Sequence, residues 1–455
     1  MNMNTYIFRK YDIRGRVKED FTDDVVGALG KGFGTWSQRQ GAGTISISGD
    51  IRLTSPHLQK KFAEGVLATG VNVIDAGTLP TPANYFSLYH LPIEGAVQIT
   101  GSHNPPEYNG FKMSLKTGAV YGDQIQTIRQ IIEKEDYETG SGELTQQDIL
   151  GDYIDMVAEK IELQRPLKVA MDCGNASAGL AAPEIFRRLG VNLTELYCDV
   201  DGSFPNHHPD PTVLKNVRDL IDTVKQDGYD VGIAYDGDAD RVGVIDDTGK
   251  IVWADRLMTI FLDEVIQQEG EEVIFDVKCS QALEQTIRAK GGTPVMWKTG
   301  HSLIKQKMKE SGARFGGEMS GHLFFADEYY GYDDAIYVSA RILQTLSRQQ
   351  KTLSQLLEDL PHFESTPEMR LEAADDEEKF KIAEQAKEYF SQEYEYIDVD
   401  GIRIKFGDGW GLVRPSNTQP VIVCRFEAKT PERLAEIKNM VIRKLQEFGE
   451  LKLEE

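Results

Sequence analysis

The segment KVAMDCGNASAGLAAPEIFRRL, residues 168–189, carries the pattern that decides the fold class. Its apolar run at 168–172 predicts a buried strand, and the amphipathic stretch at 181–189 predicts a helix. Further strand-like runs occur at 44–48, 71–75, 95–100, 231–235 and 272–276, and helical patterns at 124–134 and 282–290. Strands that alternate with helices are typical of α/β domains built around mostly parallel sheets.

The length of 455 residues exceeds what one hydrophobic core usually supports, so several domains are expected. Breaks in the pattern at 140–142, after 246–249 and at 360–367 predict four domains, at 1–148, 149–250, 251–361 and 362–455. In the last domain an acidic helix-like run at 373–390 precedes strand-like runs at 401–406 and 421–426 and a closing helix from Pro431. This order predicts a smaller α+β domain.

The composition, with 40% hydrophobic and 27% charged residues, indicates a folded, soluble protein. The formal net charge of −23 argues against a nucleic-acid partner, because phosphate backbones are bound by concentrated Lys and Arg. An anionic substrate would therefore need a local group of cations within an acidic surface.

The cysteine usage and the amino-terminal residues both bear on the compartment. The cysteines are widely separated and show neither metal-ligand spacing nor a disulfide framework; they are Cys173, Cys198, Cys279 and Cys424. Arg9, Lys10 and Asp12 precede any apolar stretch, and later apolar runs are too short to span a bilayer. We expect a cytoplasmic protein with no signal peptide and no membrane contact.

The first motif with chemical content is TGSHNPPEYNGFK, residues 100–112, directly after a strand-like run. A loop of this composition is expected to expose Ser102. A serine nucleophile needs a base, metal or cation to activate it, so its partners must come from elsewhere in the fold. The alternative is a turn in which Ser102 caps a helix. The lipase-type G-x-S-x-G elbow does not match, because position 104 is Asn.

The second motif is DGDADR, residues 236–241, directly after an apolar run. Three carboxylates at alternate positions in a loop can converge on one hard cation, and oxygen ligands favour Mg²⁺ or Ca²⁺ over Zn²⁺. An EF-hand is excluded because the sixth position is Arg241, where Gly is needed. The arginine beside the carboxylates suggests an anionic ligand on the metal. A solvated acidic turn is the alternative.

Two further loops add polar groups. In GGEMSGH, residues 316–322, alternation predicts that Glu318, Ser320 and His322 lie on one side of an extended segment, which suits a row of sugar hydroxyls; a bulge or turn is the alternative. In RPSNTQP, residues 414–420, the Arg414 fork and the Ser416, Asn417 and Thr418 donors fit a phosphate dianion. A plain turn is again the alternative.

Together these strings resemble the α-D-phosphohexomutase superfamily, in its bacterial phosphomannomutase/phosphoglucomutase branch. The resemblance spans nearly the whole chain, with four motifs in the family's order. It implies three α/β mixed-sheet domains of similar topology and a smaller α+β domain like the TATA-binding-protein fold, arranged around a central cleft. It also implies an enzyme, an intramolecular phosphotransferase that interconverts hexose 1-phosphate and hexose 6-phosphate of mannose or glucose.

The resemblance assigns roles to matching residues. Ser102 is the phosphoserine and, with Asp236, Asp238 and Asp240, a ligand of Mg²⁺. Residues with catalytic roles are Ser102, Lys112, His301, Arg14 and Arg241; Lys112, His301 and Arg14 are the candidates for general base, although an Arg is a poor base. The substrate-binding set is Tyr11, His103, Lys278, Glu318, Ser320, His322, Arg414, Ser416, Asn417 and Thr418. The implied activator is glucose 1,6-bisphosphate or mannose 1,6-bisphosphate, and the chain is expected to be a monomer or dimer.

Three rival functions remain open. A mutase for N-acetylglucosamine phosphate, glucosamine phosphate or deoxyribose phosphate shares the serine and metal loops. A non-catalytic sugar-phosphate sensor would need no nucleophile. A phosphatase would release free phosphate.

Overall fold

The structure, a computed structural model, describes residues 3–226, 228–416 and 420–453. The chain divides into two units by its internal packing. The first comprises Met1–Ile260 and Ser320–Glu358, and the second comprises Phe261–Met319 and Asp359–Glu455. In the described residues the strands form four sheets, two of which lie wholly in the first unit.

The first sheet has the order β1-β5-β4-β2-β3-β7, with β6 paired to β5. Its strands are β1 (Ile13–Arg16), β2 (Thr44–Gly49), β3 (Asn72–Thr78), β4 (Gly95–Ile99), β5 (Tyr108–Leu115), β6 (Gly118–Ala119) and β7 (Leu144–Gln146). The accompanying helices are α1 (Val17–Asp20), α2 (Asp23–Arg39), α3 (Ser55–Leu67), α4 (Thr81–His90) and α5 (Asp123–Glu133). β2 is parallel to β3 and β4, whereas β5 is antiparallel to β4 and β1, so the sheet is mixed.

Helices α2 and α3 pack closely because each has a glycine at the contact. A Cβ on Gly30 would lie 2.2 Å from the carbonyl oxygen of Phe62, and one on Gly65 would lie 2.2 Å from that of Gly27. The core beside them contains Phe33, Phe62 and Phe111. This packing fixes β5, and with it the loop that precedes β5.

The second sheet has the order β12-β11-β10-β8-β9. Its strands are β8 (Lys168–Asp172), β9 (Asn192–Leu196), β10 (Val231–Tyr235), β11 (Val242–Asp246) and β12 (Ile251–Val252). Its helices are α6 (Leu150–Lys160), α7 (Ala182–Arg188), α8 (Arg218–Gln226) and α9 (Ala254–Leu257). Every residue of β10 is buried, as expected for a central strand covered on both faces. β10 is parallel to β8 and antiparallel to β11, and residues 236–241 make the connection between β10 and β11.

The third sheet places β13 between two parallel neighbours, β14 and β15. The second unit contributes here α10 (Leu262–Val265), β13 (Glu272–Asp276), α11 (Gln281–Ala289), β14 (Thr293–Trp297), α12 (His301–Ser311) and β15 (Phe315–Gly317). The chain then returns to the first unit with β16 (Leu323–Phe325), α13 (Ala335–Ser347) and α14 (Leu353–Glu358). α13 begins at the N-cap Asp334, whose side chain accepts a hydrogen bond from the amide of Tyr337.

The fourth sheet is antiparallel, with the order β19-β20-β21-β22-β18-β23 and β17 beside β22. Its strands are β17 (Glu364–Ser365), β18 (Met369–Glu372), β19 (Glu395–Ile397), β20 (Ile402–Lys405), β21 (Gly409–Pro415), β22 (Val421–Ala428) and β23 (Lys452–Leu453). Its helices are α15 (Asp376–Glu393) and α16 (Pro431–Phe448), which contribute Ile382, Phe390 and Val441 to its core. The predicted four-part fold class, with a final α+β part, is confirmed.

Short 3-10 helices occur at Thr5–Ile7, Ser177–Leu180, Leu214–Asn216 and Met258–Phe261. Among the described residues, every helix is too short or too polar to cross a bilayer.

Candidate active site

Ser102 lies in the loop between β4 and β5, in a left-handed backbone conformation with φ of 47°. Its amide donates to Thr100 Oγ1 at 2.8 Å and its carbonyl accepts from Arg52 Nη2 at 2.7 Å. The expectation that this loop exposes Ser102 is wrong: the residue is 2% exposed. It is buried because Arg52 covers its backbone on one side and an aspartate of the DGDADR loop covers its hydroxyl on the other.

Arg52 shapes this loop and is a residue that sequence reasoning misses. Besides Ser102, its guanidinium donates to the carbonyl oxygens of Asn104, Pro105 and Tyr108. It is 2% exposed and lies 3.3 Å from Asp50 Oδ2. Burial lowers the pKa of Arg52, although the nearby carboxylates of Asp50 and the DGDADR loop oppose that shift. The available signal was a charged residue three positions after the buried strand β2.

The DGDADR loop turns tightly between β10 and β11, and Ala239 has φ of 64°. Asp236 Oδ1 accepts from the amides of Asp240 and Arg241, at 3.1 and 3.2 Å. These bonds fold the loop onto its own first carboxylate. All three aspartates are 0% exposed, and one oxygen of each lies within 4.8 Å of the others.

The three carboxylates fit a bound cation. Asp238 Oδ1 and Asp240 Oδ1 are buried without a hydrogen-bond partner. A buried carboxylate oxygen with no partner is costly, and a hard divalent ion with oxygen ligands would satisfy it. A bound cation would therefore account both for the convergence of the three aspartates and for their oxygen atoms without hydrogen-bond partners.

The serine loop and the carboxylate loop meet. Ser102 Oγ donates to Asp236 Oδ2 at 2.9 Å and lies 3.1 Å from His103 Nδ1. Burial, and after it the neighbouring carboxylates of Asp240 and Asp238, raises the pKa of Asp236 well above its usual value. The serine hydroxyl thus has a carboxylate and an imidazole as immediate neighbours.

Lys112 bridges the other two carboxylates from β5. Its Nζ lies 2.6 Å from Asp238 Oδ2 and 2.5 Å from Asp240 Oδ2. Burial alone would lower the pKa of Lys112, but the two carboxylates outweigh burial and raise it well above its usual value. For Asp238, Lys112 and the hydroxyl of Thr81 outweigh burial and hold its pKa below its usual value. Lys112 and Asp238 are therefore both charged around neutral pH.

His322, which contacts Arg241, lies near Asp240 Oδ1, whereas Lys112 contacts Asp240 Oδ2. Arg241 Nε donates to His322 Nε2 at 3.0 Å, and His322 Nδ1 lies 3.1 Å from Asp333 Oδ2 and 3.7 Å from Asp240 Oδ1. The acceptor role of Nε2 places the imidazole proton on Nδ1, facing the carboxylates. Asp333 was not a sequence candidate, because it lies eleven positions beyond the GGEMSGH motif in a tyrosine-rich loop.

Arg14 and His103 are further side chains beside Ser102, and they differ in charge. Arg14 Nη1 donates to Asn104 Oδ1 at 3.1 Å, and Nη2 pairs with Asp12 Oδ2 at 2.6 Å. Burial, followed by the charges of Arg241, Arg14 and Lys112, lowers the pKa of His103 well below its usual value. The imidazole of His103 is therefore neutral near pH 7.

A second cluster of predicted residues forms within the second unit. Lys278 Nζ lies 3.2 Å from Glu368 Oε2, and Arg414 Nε lies 2.6 Å from Asp400 Oδ2. Asp400 Oδ2 also accepts from the amide of Thr299 at 3.2 Å, two residues before His301, where α12 begins. Burial would lower the pKa of Lys278, but Glu368 and Asp276 raise it. Glu368 and Asp400 were missed by sequence reasoning, since neither belongs to a recognisable motif.

Glu318 is held in the same unit. Its carboxylate accepts a short hydrogen bond from the amide of Gly300, and it is 3% exposed. Asp276, at the end of β13, accepts from the amide of Met319 and the hydroxyl of Thr299. These bonds fix the two loops that carry Glu318 and His301.

The predicted extended geometry of the GGEMSGH segment is wrong. Residues 318–322 connect β15 to β16 as a turn with bends, and Gly321 has φ of 103°. A Cβ at Gly321 would lie 2.6 Å from the carbonyl oxygen of Val242, so glycine is needed there. Glu318 accordingly belongs to the second unit, whereas Ser320 and His322 belong to the first.

The remaining predicted residues are less closely defined. Tyr11 is half-buried with Lys10 Nζ 5.8 Å from its ring centroid, and Ser320 is half-buried in its turn. Ser416 is buried and its carbonyl accepts from Lys379 Nζ at 2.8 Å. Asn417 and Thr418 lie outside the described residues.

Comparison with known proteins identifies four consecutive domain matches. Models of phosphoglucomutase/phosphomannomutase match as alpha/beta/alpha domain I at residues 5–139, domain II at 151–249, domain III at 253–363 and the C-terminal domain at 368–444. The matches follow the order of the four sheets.

Individual relatives span almost the whole chain. The phosphomannomutase/phosphoglucomutase of Pseudomonas aeruginosa is 45% identical over 437 residues, which are 95% of this chain and 94% of that protein. The phosphoglucomutase of Neisseria meningitidis serogroup A is 41% identical over 443 residues, 96% of each chain. A crystal structure of a phosphoglucomutase/phosphomannomutase family protein from Burkholderia thailandensis has a TM-score of 0.93 at 41% identity, and covers 99% of this chain and 100% of that one. Since domain models and relatives agree along nearly the entire length, this chain belongs to the phosphoglucomutase/phosphomannomutase family of phosphohexomutases, which are isomerases.

Proposed function

We propose that the chain interconverts the 1-phosphate and 6-phosphate of mannose, glucose or both, through a phosphorylated Ser102 and a hexose 1,6-bisphosphate intermediate. The observation that supports this most is the 2.9 Å contact between Ser102 Oγ and Asp236 Oδ2, inside a buried group of three carboxylates. A serine that serves only as a turn residue would not need to lie beside a cation site.

We propose that Asp236, Asp238, Asp240 and the Ser102 side chain hold one Mg²⁺. The ligands are oxygen atoms only, which favours Mg²⁺ over Zn²⁺. When bound, the ion would neutralise charge on the transferred phosphoryl group. Glucose 1,6-bisphosphate or mannose 1,6-bisphosphate is the activator that would restore the phosphate on Ser102.

The chain's own groups supply the rest of the phosphoryl transfer. Phosphoryl transfer depends mainly on positioning and electrostatic stabilisation. Arg14, Lys112 and Arg241 provide fixed positive charge around the serine loop. Lys112 is a poor base in this arrangement, because two carboxylates hold its proton. His301 remains a candidate base for the attacking hydroxyl.

We propose that the second cluster binds the phosphosugar away from the reacting phosphate. Arg414 offers a planar fork for a phosphate, supported by Lys278 and by donors at Ser416, Asn417 and Thr418. Glu318 and Ser320 would bind sugar hydroxyls, with Tyr11, His103 and His322 as further contacts. We also propose domain boundaries at 1–148, 149–250, 251–361 and 362–455. A cytoplasmic location and a monomeric or dimeric state are part of the same proposal.

The relatives bear on the rival functions. Proteins 41–45% identical to this chain are named phosphomannomutase or phosphoglucomutase. The N-acetylglucosamine phosphate mutases with solved structures are 13% identical, a level that shows only a shared fold. A hexose phosphate is therefore favoured over its N-acetylated analogue.

The proposal is tested by incubating the protein with Mg²⁺, a trace of glucose 1,6-bisphosphate and each hexose 1-phosphate in turn. ³¹P NMR should show the 6-phosphate appearing, without free phosphate. If no hexose phosphate is isomerised, the proposal is wrong, and if inorganic phosphate accumulates instead, the chain is a phosphatase.

A further inference from the structure

Cys173 and Cys198 bring their sulfur atoms to 3.2 Å in the second sheet. Cys173 directly follows β8 and Cys198 follows β9 by two residues, and these strands are parallel neighbours. The amide of Cys173 donates to the carbonyl oxygen of Leu196 at 3.1 Å. This bond extends the hydrogen-bonded pairing of β8 and β9 up to Cys173. The register of the sheet thus holds the two thiols together, although they lie far apart in the sequence.

The other two cysteines have different surroundings. Cys279 is buried and its sulfur donates to Asp276 Oδ1 at 3.1 Å. Cys424 is buried in the core of the fourth sheet, and burial raises the pKa of its thiol. All four cysteines are free thiols, so Cys279 and Cys424 serve as controls inside the same chain.

We propose that Cys173 and Cys198 are a redox modification site, at which a peroxide converts the two thiols into a reversible intramolecular disulfide. The sulfur atoms need to approach by only about 1.1 Å to reach the bond length of about 2.05 Å. Both cysteines adjoin turn residues, Gly174 with φ of 54° and Tyr197 with φ of 52°, rather than strand interiors. This inference is independent of the proposed phosphoryl transfer.

The difference in burial sets the order of the two steps. Cys198 is half-buried, so a small oxidant reaches it first, whereas Cys173 is 0% exposed. Burial, followed by the hydrogen bond with Cys198, raises the pKa of Cys173 well above its usual value. A buried thiol of this kind is inert towards solvent, but it can attack a sulfur that it already touches.

The chemistry balances with hydrogen peroxide as oxidant. The Cys198 thiolate attacks one peroxide oxygen; an S–O bond forms, the O–O bond breaks, and the released hydroxide takes up a proton to give water. The Cys173 thiol then attacks the Cys198 sulfur of this sulfenic acid. An S–S bond forms, the S–O bond breaks, and the Cys173 proton passes to the leaving hydroxyl group, which departs as water. Two thiols are oxidised and one peroxide is reduced to two waters; a dithiol reverses the reaction by exchange.

The disulfide would restrain a loop near the carboxylate group. The amide of Ser177, four residues after Cys173, donates to the carbonyl oxygen of Gly237 at 3.3 Å. Cross-linking the ends of β8 and β9 therefore acts on a segment that touches the DGDADR loop.

Peptide mass spectrometry of the whole folded protein tests the proposal directly. Trypsin separates the two cysteines into peptides 169–187 and 189–215, because Arg187 and Arg188 lie between them. After millimolar hydrogen peroxide and alkylation in denaturant, we expect these two peptides to be linked. The link should exceed any other cysteine pairing by at least tenfold and should disappear with dithiothreitol.

Three controls make the result decisive. Cys198→Ser should abolish the link, whereas Cys424→Ser should leave it unchanged; protein oxidised in urea should give mixed pairings, since the sheet no longer holds the thiols together. The proposal is overturned if folded protein carries Cys198 as sulfinic acid while Cys173 remains alkylatable. It is equally overturned if the link is absent under conditions that oxidise the unfolded chain.

Discussion

Ser102 is held by contacts on all sides before any substrate arrives. Its amide, carbonyl and hydroxyl are each engaged, by Thr100, Arg52 and Asp236 respectively. In the proposed phosphoryl transfer, a nucleophile preorganised in this way would lose little entropy on reaching the transition state. The left-handed backbone at Ser102 is the local strain that this arrangement tolerates.

Replacement of Ser102 by Ala should abolish hexose phosphate interconversion. Removal of a covalent nucleophile costs roughly 10⁴-fold or more in kcat, because the oxygen atom that accepts the phosphoryl group is lost. The matched control is Ser46→Ala, another buried serine of the same sheet, whose hydroxyl contacts only structural partners. A Ser102→Ala protein that folds and retains more than one-hundredth of the turnover would contradict the nucleophile assignment.

The ion pair between Glu368 and Lys278 should make stability dependent on pH. Lys278, against some opposition from burial, lowers the pKa of Glu368 from 4.5 to about 2. Between these values the unfolded chain binds more protons, so the stabilisation is present above pH 4.5 and is lost as the pH falls towards 2.

Glu368→Gln should remove this dependence. The Glu368 side chain is 28% exposed, so we expect a loss of only about 1–2 kcal/mol in unfolding free energy at pH 7. The difference between the wild type and the variant should shrink below pH 4.5, as followed by urea unfolding over a pH series. Glu364→Gln, which removes an exposed pair with His362, is the control. A difference that stays constant down to pH 2.5 would exclude the ion pair as its source.

At the level of elements, the connection between β10 and β11 brings three carboxylates together at the end of a fully buried strand. Lys112, on β5, contacts two of these carboxylates but leaves Asp238 Oδ1 and Asp240 Oδ1 without a hydrogen-bond partner. Lys112 therefore neutralises the loop only in part, and the loop still has oxygen atoms that can bind a cation.

Mg²⁺ should raise the unfolding temperature of the protein, because a ligand that binds only the folded state stabilises it. Asp240→Asn should weaken Mg²⁺ affinity by roughly 10- to 100-fold or more, and should abolish most of the shift. Calorimetric titration and thermal unfolding measure both effects. Asp222→Asn, at an exposed position of α8, should behave like the wild type. Equal Mg²⁺ affinities for the Asp240 and Asp222 variants would show that Mg²⁺ does not bind at this loop.

Elements with strong local patterns could be predicted from the sequence. The runs at 168–172, 231–235 and 272–276 became β8, β10 and β13 with the same bounds, because continuous apolar residues leave little choice for a buried strand. The expected closing helix begins at Pro431, where Thr430 caps it. The strand predicted at 71–75 extends to Thr78, since pairing with β2 continues past the apolar run.

The predictions that failed concern features that depend on contacts between residues far apart in the sequence. The burial of Ser102 requires Arg52, and the partner of His322 is Asp333, both outside the motifs that sequence reasoning selected. The turn at 318–322 depends on the close approach of Gly321 to Val242. Spacing within a motif carries no information about such contacts, so these side chains could be found only in the folded chain.

The whole molecule has a strongly negative net charge and several buried basic side chains. The formal net charge is −23, yet several basic side chains are almost fully buried, among them Arg52, Lys112, Lys278, Arg403, Arg414 and Arg425. Arg52 and Lys112 belong to the first unit and the other four to the second. An anionic substrate is repelled by a strongly negative protein, so its site needs a local excess of positive charge.

Substrate range is a property of the whole chain. We expect kcat/KM for the better substrate of glucose 1-phosphate and mannose 1-phosphate to exceed that for N-acetylglucosamine 1-phosphate by roughly tenfold or more, because an acetamido group must displace contacts made to a hydroxyl. Coupled assays with the three substrates under identical conditions measure this. Preference for the N-acetylated sugar would favour the rival mutase function.

The most direct measurement is the fate of the phosphoryl group on Ser102. The protein is first treated with Mg²⁺ and glucose 1,6-bisphosphate, then freed of small molecules, and the modified peptide is located by mass spectrometry. The account predicts one phosphoryl group, on Ser102, which is lost on addition of glucose 6-phosphate while glucose 1,6-bisphosphate appears in equal amount. A protein that interconverts hexose phosphates while Ser102 stays unmodified, or while the phosphate resides on another residue, would contradict the account.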